Sequence, residues 1–161
     1  MRQLHTFPPV YDAACTTLIL GSFPSVRSRA EGFYYGHPRN RFWPMLAGIF
    51  DAHVPETIDE KRSLLLANHI ALWDVCASCE ITGSADSSIT EVVPNDLSPI
   101  LKAAKISLVL TNGKTADSLY RRHQLSLTGI DALCMPSTSP ANAAVSLERL
   151  TEAWGKSLGQ K

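Results

Sequence analysis

The sequence predicts an α/β protein: a single-domain three-layer α/β/α sandwich over residues 1–161, built on a central, mostly parallel four-stranded sheet. Three observations predict it. Short apolar runs of strand length alternate along the chain with segments of helical periodicity. Each apolar run stops at a cluster of turn-forming residues, as a strand does when it hands over to a crossover helix. A chain of 161 residues supplies one sizeable core and is too short for two domains of ordinary size.

Residues 1–15 read as an irregular arm because of Pro8, Pro9 and a polar start. Thr17-Leu18-Ile19-Leu20 is the first strand, over about 16–21, and Gly21-Ser22-Phe23-Pro24 breaks it. A long loop follows with Phe33, Tyr34 and Tyr35 in succession and a Gly36-His37-Pro38 turn. Asn40 then stands at the N-cap position of a helix over 41–50 that places Phe42, Met45, Leu46 and Ile49 on one face, with Pro44 in its first turn. Thr57 and Glu60 have capping-box spacing ahead of a second helix over 61–68. Residues 70–75 make the second strand, with Asp74 at its carboxyl end. The Ser-, Gly- and Thr-rich stretch 78–93 reads as a loop over the strand ends. A third helix runs from the Pro94–Pro99 segment to about Ala104, a strand covers 106–110, and Thr111-Asn112-Gly113 turns into a helix over 114–123. The last strand spans 129–136. Ser139 followed by Pro140 is a cap-plus-first-turn pair, predicting a helix from Pro140 to about Leu158 whose free N–H groups face the sheet's carboxyl edge.

Composition bounds the function. Hydrophobic residues make up 45% and charged residues 19%, as in a compact folded protein rather than a disordered one. No apolar run is long enough for a transmembrane helix and the start lacks a secretory pattern, so an intracellular, cytoplasmic protein is expected. The formal net charge of zero argues against a broadly electrostatic nucleic-acid binder. Arg27, Arg29, Arg39 and Arg41 nevertheless crowd the loop before the first long helix, which predicts one basic rim. Solvated loop arginines are the plainer reading of charge alone. Cys76 and Cys79 have C-x-x-C spacing, but Cys15 and Cys134 are isolated, so buried reduced thiols are expected rather than a metal centre.

The stretch 18–43 carries the chemistry. Gly21-Ser22-Phe23-Pro24, then Gly36-His37-Pro38-Arg39-Asn40-Arg41-Phe42-Trp43, then Pro136-Ser137-Thr138-Ser139-Pro140 resemble, in this order, the motifs of the uracil-DNA glycosylase superfamily. The HPxNRFW segment is similar to the mismatch-specific uracil/thymine branch; GSFP and YYGHPRN, with ALWDV and PSTSPAN, look most like the hypoxanthine-DNA (deoxyinosine) glycosylases.

The resemblance implies hydrolysis of the N-glycosidic bond of a deaminated base in DNA, hypoxanthine first and uracil or xanthine as alternatives, by a monomer that uses no cofactor and no metal. Asn40 matches the catalytic Asn and would orient the water; from position alone it is equally a helix cap. Gly21, Ser22, Phe23, Pro24, Ser25, Tyr35, Phe42 and Asp74 fall where the base pocket is expected. Phe23 occupies the position at which the wider superfamily carries a water-activating Asp or Asn, so that task would rest on Asn40. Ser25 leaves room for a purine where uracil-specific members carry a tyrosine, and Asp74 would accept the N1–H of hypoxanthine. Ser137, Thr138, Ser139, Asn142 and Arg39 would hold the DNA backbone. The second motif lacks the His that often stabilises the leaving base. Two other readings stand beside this one: a non-catalytic damaged-DNA-binding module of the same fold, and a nucleotide-binding α/β enzyme, which has neither G-x-G-x-x-G nor a Walker lysine loop to support it.

Overall fold

The computed structural model describes residues 2–159. Four parallel strands form the centre: β2 (Thr17–Gly21), β3 (Ile70–Asp74), β6 (Leu108–Asn112) and β7 (Ala132–Met135), in the order β3-β2-β6-β7. Thr-Leu-Ile-Leu-Gly in β2 is apolar at consecutive positions because both faces of a parallel sheet are covered. Alternate side chains serve alternate layers. Ile19, Ile70, Leu72 and Leu110 pack with α2 (Phe42–Ile49), α3 (Ile58–Ala67) and α7 (Leu147–Ser157), while Leu18, Leu20, Ala71 and Val109 pack with α4 (Ser98–Ala103) and α5 (Lys114–His123). This is the predicted three-layer arrangement.

Local signals place most of these elements. Thr57 and Glu60 close the predicted capping box at α3, each side chain taking the other's backbone N–H at 3.1 and 3.0 Å. α7 is capped by Ser146 and is anchored at the buried Trp154, whose indole N–H donates to the Pro136 carbonyl at 2.9 Å. The chain leaves β2 for β3 on one side and later returns to β6 on the other. The β2–β6 boundary is thus the switch point, and the crevice beyond the carboxyl ends of these strands is where such sheets bind ligands. Gly21, Asp74, Asn112 and Met135 all terminate strands at that edge.

Several expectations are corrected. The expected irregular arm is partly ordered as strand: β1 (Arg2–Leu4) pairs antiparallel with β4 (Cys76–Glu80), and Val10 bridges to Leu72. The stretch 78–93 is a loop only over 81–89, since β4 and β5 (Thr90–Pro94) on either side make a second, antiparallel sheet of order β1-β4-β5. Exposed Thr90, Glu91 and Val93 give β5 no alternation of hydrophobicity to read; its order comes from backbone pairing. Two short helices were also missed, α1 (Val26–Glu31), inside the supposed long loop, and α6 (Leu125–Thr128). The helix predicted from Pro140 is only a single 3₁₀ turn, Pro140–Asn142, with α7 starting at Leu147. Ser139 still caps that turn, but no long helix dipole stands behind it. The cap of α2 is Arg41, not Asn40, which sits one residue earlier. Cys15, Cys76 and Cys79 are buried free thiols as expected, whereas Cys134 on the edge strand β7 is exposed.

The docked arm generates a stability prediction. Phe7 is 7% exposed and its ring meets Tyr34 edge-on at 4.7 Å. Phe7→Ala is expected to cost about 3 kcal/mol in urea unfolding, the usual scale for a buried aromatic truncation; a cost within the error of the titration is the result an unstructured arm would give.

Candidate active site

The crevice at the switch point is a cleft of about 990 Å³. It is lined by Gly21, Ser22, Phe23, Pro24, Ser25, Tyr35, Asn40, Asp74, Ser137, Thr138, Ser139 and Asn142, so residues from the beginning, middle and end of the chain converge as the motifs suggested. Two predicted members are not there. Phe42 is fully buried in the core and stacks under Tyr35 at 4.2 Å, supporting the wall rather than forming it. Arg39 is exposed and lies outside the lining.

Thr138 ties the cleft together. Its backbone N–H donates to Asn112 Oδ1 at 3.0 Å, Asn112 Nδ2–H donates to its hydroxyl oxygen at 3.0 Å, and that hydroxyl donates to Asn40 Oδ1 at 2.9 Å. Its carbonyl accepts from Arg41 N–H at 3.1 Å. Asn40 Oδ1 also accepts from Phe42 N–H at 2.9 Å, so the side chain satisfies one free donor of α2 while reaching across to the far turn. A backbone N–H only donates, which fixes the amide with its oxygen facing these two partners. Asn40 is therefore a cleft residue that, from the position before the cap, also satisfies a helix donor with the same oxygen. Arg41, counted in the basic rim, is spent internally: its guanidinium donates to the carbonyls of Ser139 and Asn142, at 3.0 Å each, and to that of Val145. Arg27 pairs with Glu31, and Arg29 donates to the Gly83 carbonyl and lies over the Phe23 ring. The expected rim is mostly structural.

The floor is a close approach. A Cβ at Gly21 would stand 2.4 Å from Asp74 Oδ1 and 2.9 Å from Tyr35 Oη, so only glycine lets both polar atoms reach the end of β2. Tyr35 has φ +54°, a conformation costly for a non-glycine residue, and its hydroxyl is buried without a hydrogen-bond partner. Burial, reinforced by the nearby Asp74 charge and opposed by the weaker influence of the Asn112 side chain, pushes the Tyr35 hydroxyl far above the usual phenol range; it stays protonated, and its hydrogen has no acceptor. Gly113, at φ +98°, permits a second tight approach, for a Cβ there would lie 3.0 Å from Ser137 Cβ. Ser137 and Ser139 hydroxyl oxygens accept from Ser139 and Ala141 N–H, which leaves their own hydrogens to donate into the cleft.

Residues missed in the sequence complete the site. Asn112 and the exposed Lys114 follow the predicted strand β6 and were legible as strand-end residues, had that strand been extended by two positions. Asp86 lines the mouth and accepts from the Ser22 hydroxyl at 2.8 Å. Although much of the residue faces solvent, its carboxyl is partly withdrawn from water and sits above the ordinary carboxylate range, with Asp74 adding repulsion and Ser22 opposing the shift. His5, from the arm, reaches Asp74 at 2.9 Å, and nothing in the local sequence announces it. Among the described residues no group of three or more His, Cys, Asp or Glu side chains is placed to hold a metal ion.

Comparison with known proteins agrees with this geometry. The family model of the uracil DNA glycosylase superfamily matches residues 8–156. The hypoxanthine DNA glycosylase of Methanosarcina acetivorans is 34% identical over 148 residues, covering 91% of this chain and 92% of that protein. That of Methanosarcina barkeri is 35% identical over 153 residues, covering 93% and 94% respectively. The solution NMR structure of a candidate uracil DNA glycosylase from M. acetivorans superposes with a TM-score of 0.82 at 33% identity over 98% of this chain and 97% of that one. With three ordered motifs meeting in one cleft and a family match across nearly the whole length, this chain belongs to the uracil DNA glycosylase superfamily.

Proposed function

We propose that this protein is a monofunctional DNA glycosylase that hydrolyses the N-glycosidic bond of a deaminated nucleotide in DNA, with deoxyinosine as its principal substrate, and that it acts as an intracellular monomer without a cofactor. The observation that carries the reading is that Asn40 and the serine-lined turn at Ser137–Ser139 share one cleft, joined by the Thr138–Asn40 hydrogen bond. A nucleotide flipped into that cleft would present its sugar to the amide and its phosphates to the turn. Its two curated relatives named above support hypoxanthine as the base.

The chemistry asks little of a base catalyst. The C1′–N9 bond breaks with its electron pair passing to the purine, leaving an oxocarbenium-like sugar. Water oxygen then bonds to C1′ and releases one proton, and the departing purine takes up one proton overall. What the protein contributes is position. Asn40 Oδ1 carries two lone pairs, one tied to Phe42 N–H and one to the Thr138 hydroxyl. In the reacting complex the water takes the place of the Thr138 hydroxyl on that oxygen, and Thr138, still held by Asn112, turns its hydrogen to the substrate. Asp74 accepts the N1–H of the base, the Tyr35 hydroxyl donates to a base acceptor, and Ser137 and Ser139 donate to flanking phosphates. The occupied amide oxygen, with Phe23 at the first motif, also favours a second reading, a damage-binding module that never cuts.

Three measurements follow from this assignment. On duplexes carrying one inosine, alkaline cleavage is expected after incubation with the protein, and Asn40→Ala is expected to lower the single-turnover rate at least ~10²-fold, the scale on which positioning losses fall. Binding without cleavage by the unaltered protein would select the damage-binding module, and undiminished cutting by Asn40→Ala would remove Asn40 from the reaction. Tyr35→Phe is expected to reduce inosine excision while leaving stability the same or raising it by up to about 1 kcal/mol, since it deletes a buried hydroxyl that has no partner. A marked loss of stability in that variant would mean that the hydroxyl is bonded within the folded protein. Finally, Lys114→Ala should flatten the slope of log affinity against log salt by about 1; an unchanged slope would place Lys114 off the DNA path.

A further inference from the structure

The amino-terminal arm is not needed to complete the parallel sheet, yet it delivers one side chain to the edge of the cleft. His5 Nε2 lies 2.9 Å from Asp74 Oδ2, and both side chains are almost withdrawn from solvent, 2% and 4% exposed. The arm is held in register for this contact. Gln3 and Leu4 pair with Cys79 and Ser78, His5 N–H donates to the Ala77 carbonyl at 2.8 Å, and the His5 ring rests against Phe7 with centroids 4.5 Å apart. Arg2 fastens the outer end, donating to the Ser78 hydroxyl at 2.7 Å and to the Glu91 carbonyl at 2.9 Å.

Asp74 has two oxygens with different surroundings. Oδ2 is taken by His5, and Oδ1 stands over Gly21 at the cleft floor, close to the unpartnered Tyr35 hydroxyl. A carboxylate with one oxygen bonded cannot swing freely about its terminal torsion, so the remaining oxygen keeps one direction. His5 Nδ1 is buried without a partner, which means that the ring's polar contact in the described structure is spent on Asp74. A histidine kept only for packing would gain from being replaced by an apolar ring at this place.

Resting on the proposed reading of Asp74 as the acceptor for the base, we infer that His5 is a positioning residue of the base-reading site: it aims Asp74 Oδ1 at the ring N–H that deamination creates, next to the donor supplied by Tyr35. Adenine, hypoxanthine's parent, has a bare N1 acceptor where hypoxanthine has N1–H, so an aimed, acceptor-only carboxylate favours the deaminated base and repels the normal one. The arm therefore contributes to specificity as well as to stability.

The test is a double-mutant cycle read by single-turnover excision of inosine. His5→Leu keeps apolar bulk against Phe7 but donates nothing; His5→Gln keeps an N–H. His5→Leu is expected to slow excision about tenfold or more in the otherwise unaltered protein and less than threefold in an Asp74→Ala background, with His5→Gln restoring most of the loss. Thermal melts on each variant show whether the fold is kept. If His5→Leu does not fold, His5→Gln in the two backgrounds answers the same question, its smaller loss being expected to vanish when Asp74 is absent. Equal losses in both backgrounds, or a His5→Leu protein as fast as the original, overturn the inference while leaving the glycosylase reading intact. An unaltered protein inert on inosine, uracil and xanthine alike would overturn that reading, and this inference with it.

Discussion

The site depends on the hydrogen bonds centred on Thr138. Its side chain and backbone are fully buried, and four contacts satisfy them: two to Asn112 at the end of β6, one to Asn40 and one to the Arg41 backbone at the start of α2. Leaving any one of these buried groups unpaired costs on the order of 1–3 kcal/mol, more than a typical bond contributes when made. Together these contacts fix β6, the loop after β7 and α2 relative to one another in the free protein. Arg41 adds a second clasp, its guanidinium gathering the carbonyls of Ser139, Asn142 and Val145. A long helix from Pro140 would have satisfied those carbonyls itself; because it is absent, an arginine does so, and the turn stays open enough for its serine hydroxyls to face the cleft.

That exchange explains how a protein of zero net charge fits a polyanionic substrate. Arg27, Arg29 and Arg41 are committed to Glu31, to Gly83 and to the turn carbonyls, so the loop's positive charge mostly builds the protein. What faces the expected backbone path is a set of neutral donors, Ser137 and Ser139, with Lys114 at the lip. Hydroxyl donors fix register and orientation more than they add attraction. Under the proposed function, binding of this kind would favour a nucleotide already easy to extrude, because little long-range electrostatic energy is available to hold undamaged duplex.

How much of this was legible in the sequence follows from what each feature depends on. The parallel sheet was readable because doubly covered strands are apolar at successive positions, and the α3 cap because Thr57 and Glu60 bond to one another locally. The cleft residues on motif segments were readable in kind, though Phe42 shows the limit: an aromatic two residues after Asn40 can face the core, and only the stack with Tyr35 reveals which. The second sheet was not readable. Its strands expose Thr90, Glu91 and Val93 and depend on backbone pairing between segments as far apart as Arg2 and Glu80, which leaves no periodic trace. His5 was invisible for the same reason, since its role is set by a partner at position 74 and by a strand pairing the sequence does not advertise.

The floor of the cleft shows why such non-local parts are retained. Gly21, Tyr35 and Asp74 bring a glycine, a left-handed tyrosine and a carboxylate into a space where no ordinary side chain would fit between them. Each is locally unfavourable: the tyrosine backbone conformation costs on the order of 1–3 kcal/mol, and its hydroxyl is buried unpaired. Phe42 beneath the ring, fully buried between α2 and the sheet, holds Tyr35 in that conformation, and His5 holds the carboxylate from the other side. A donor and an acceptor prepared in this way cannot relax toward each other or toward solvent. Under the proposed function these are the polar groups that a base entering the cleft would satisfy, and strain in the empty site would become selectivity in the filled one.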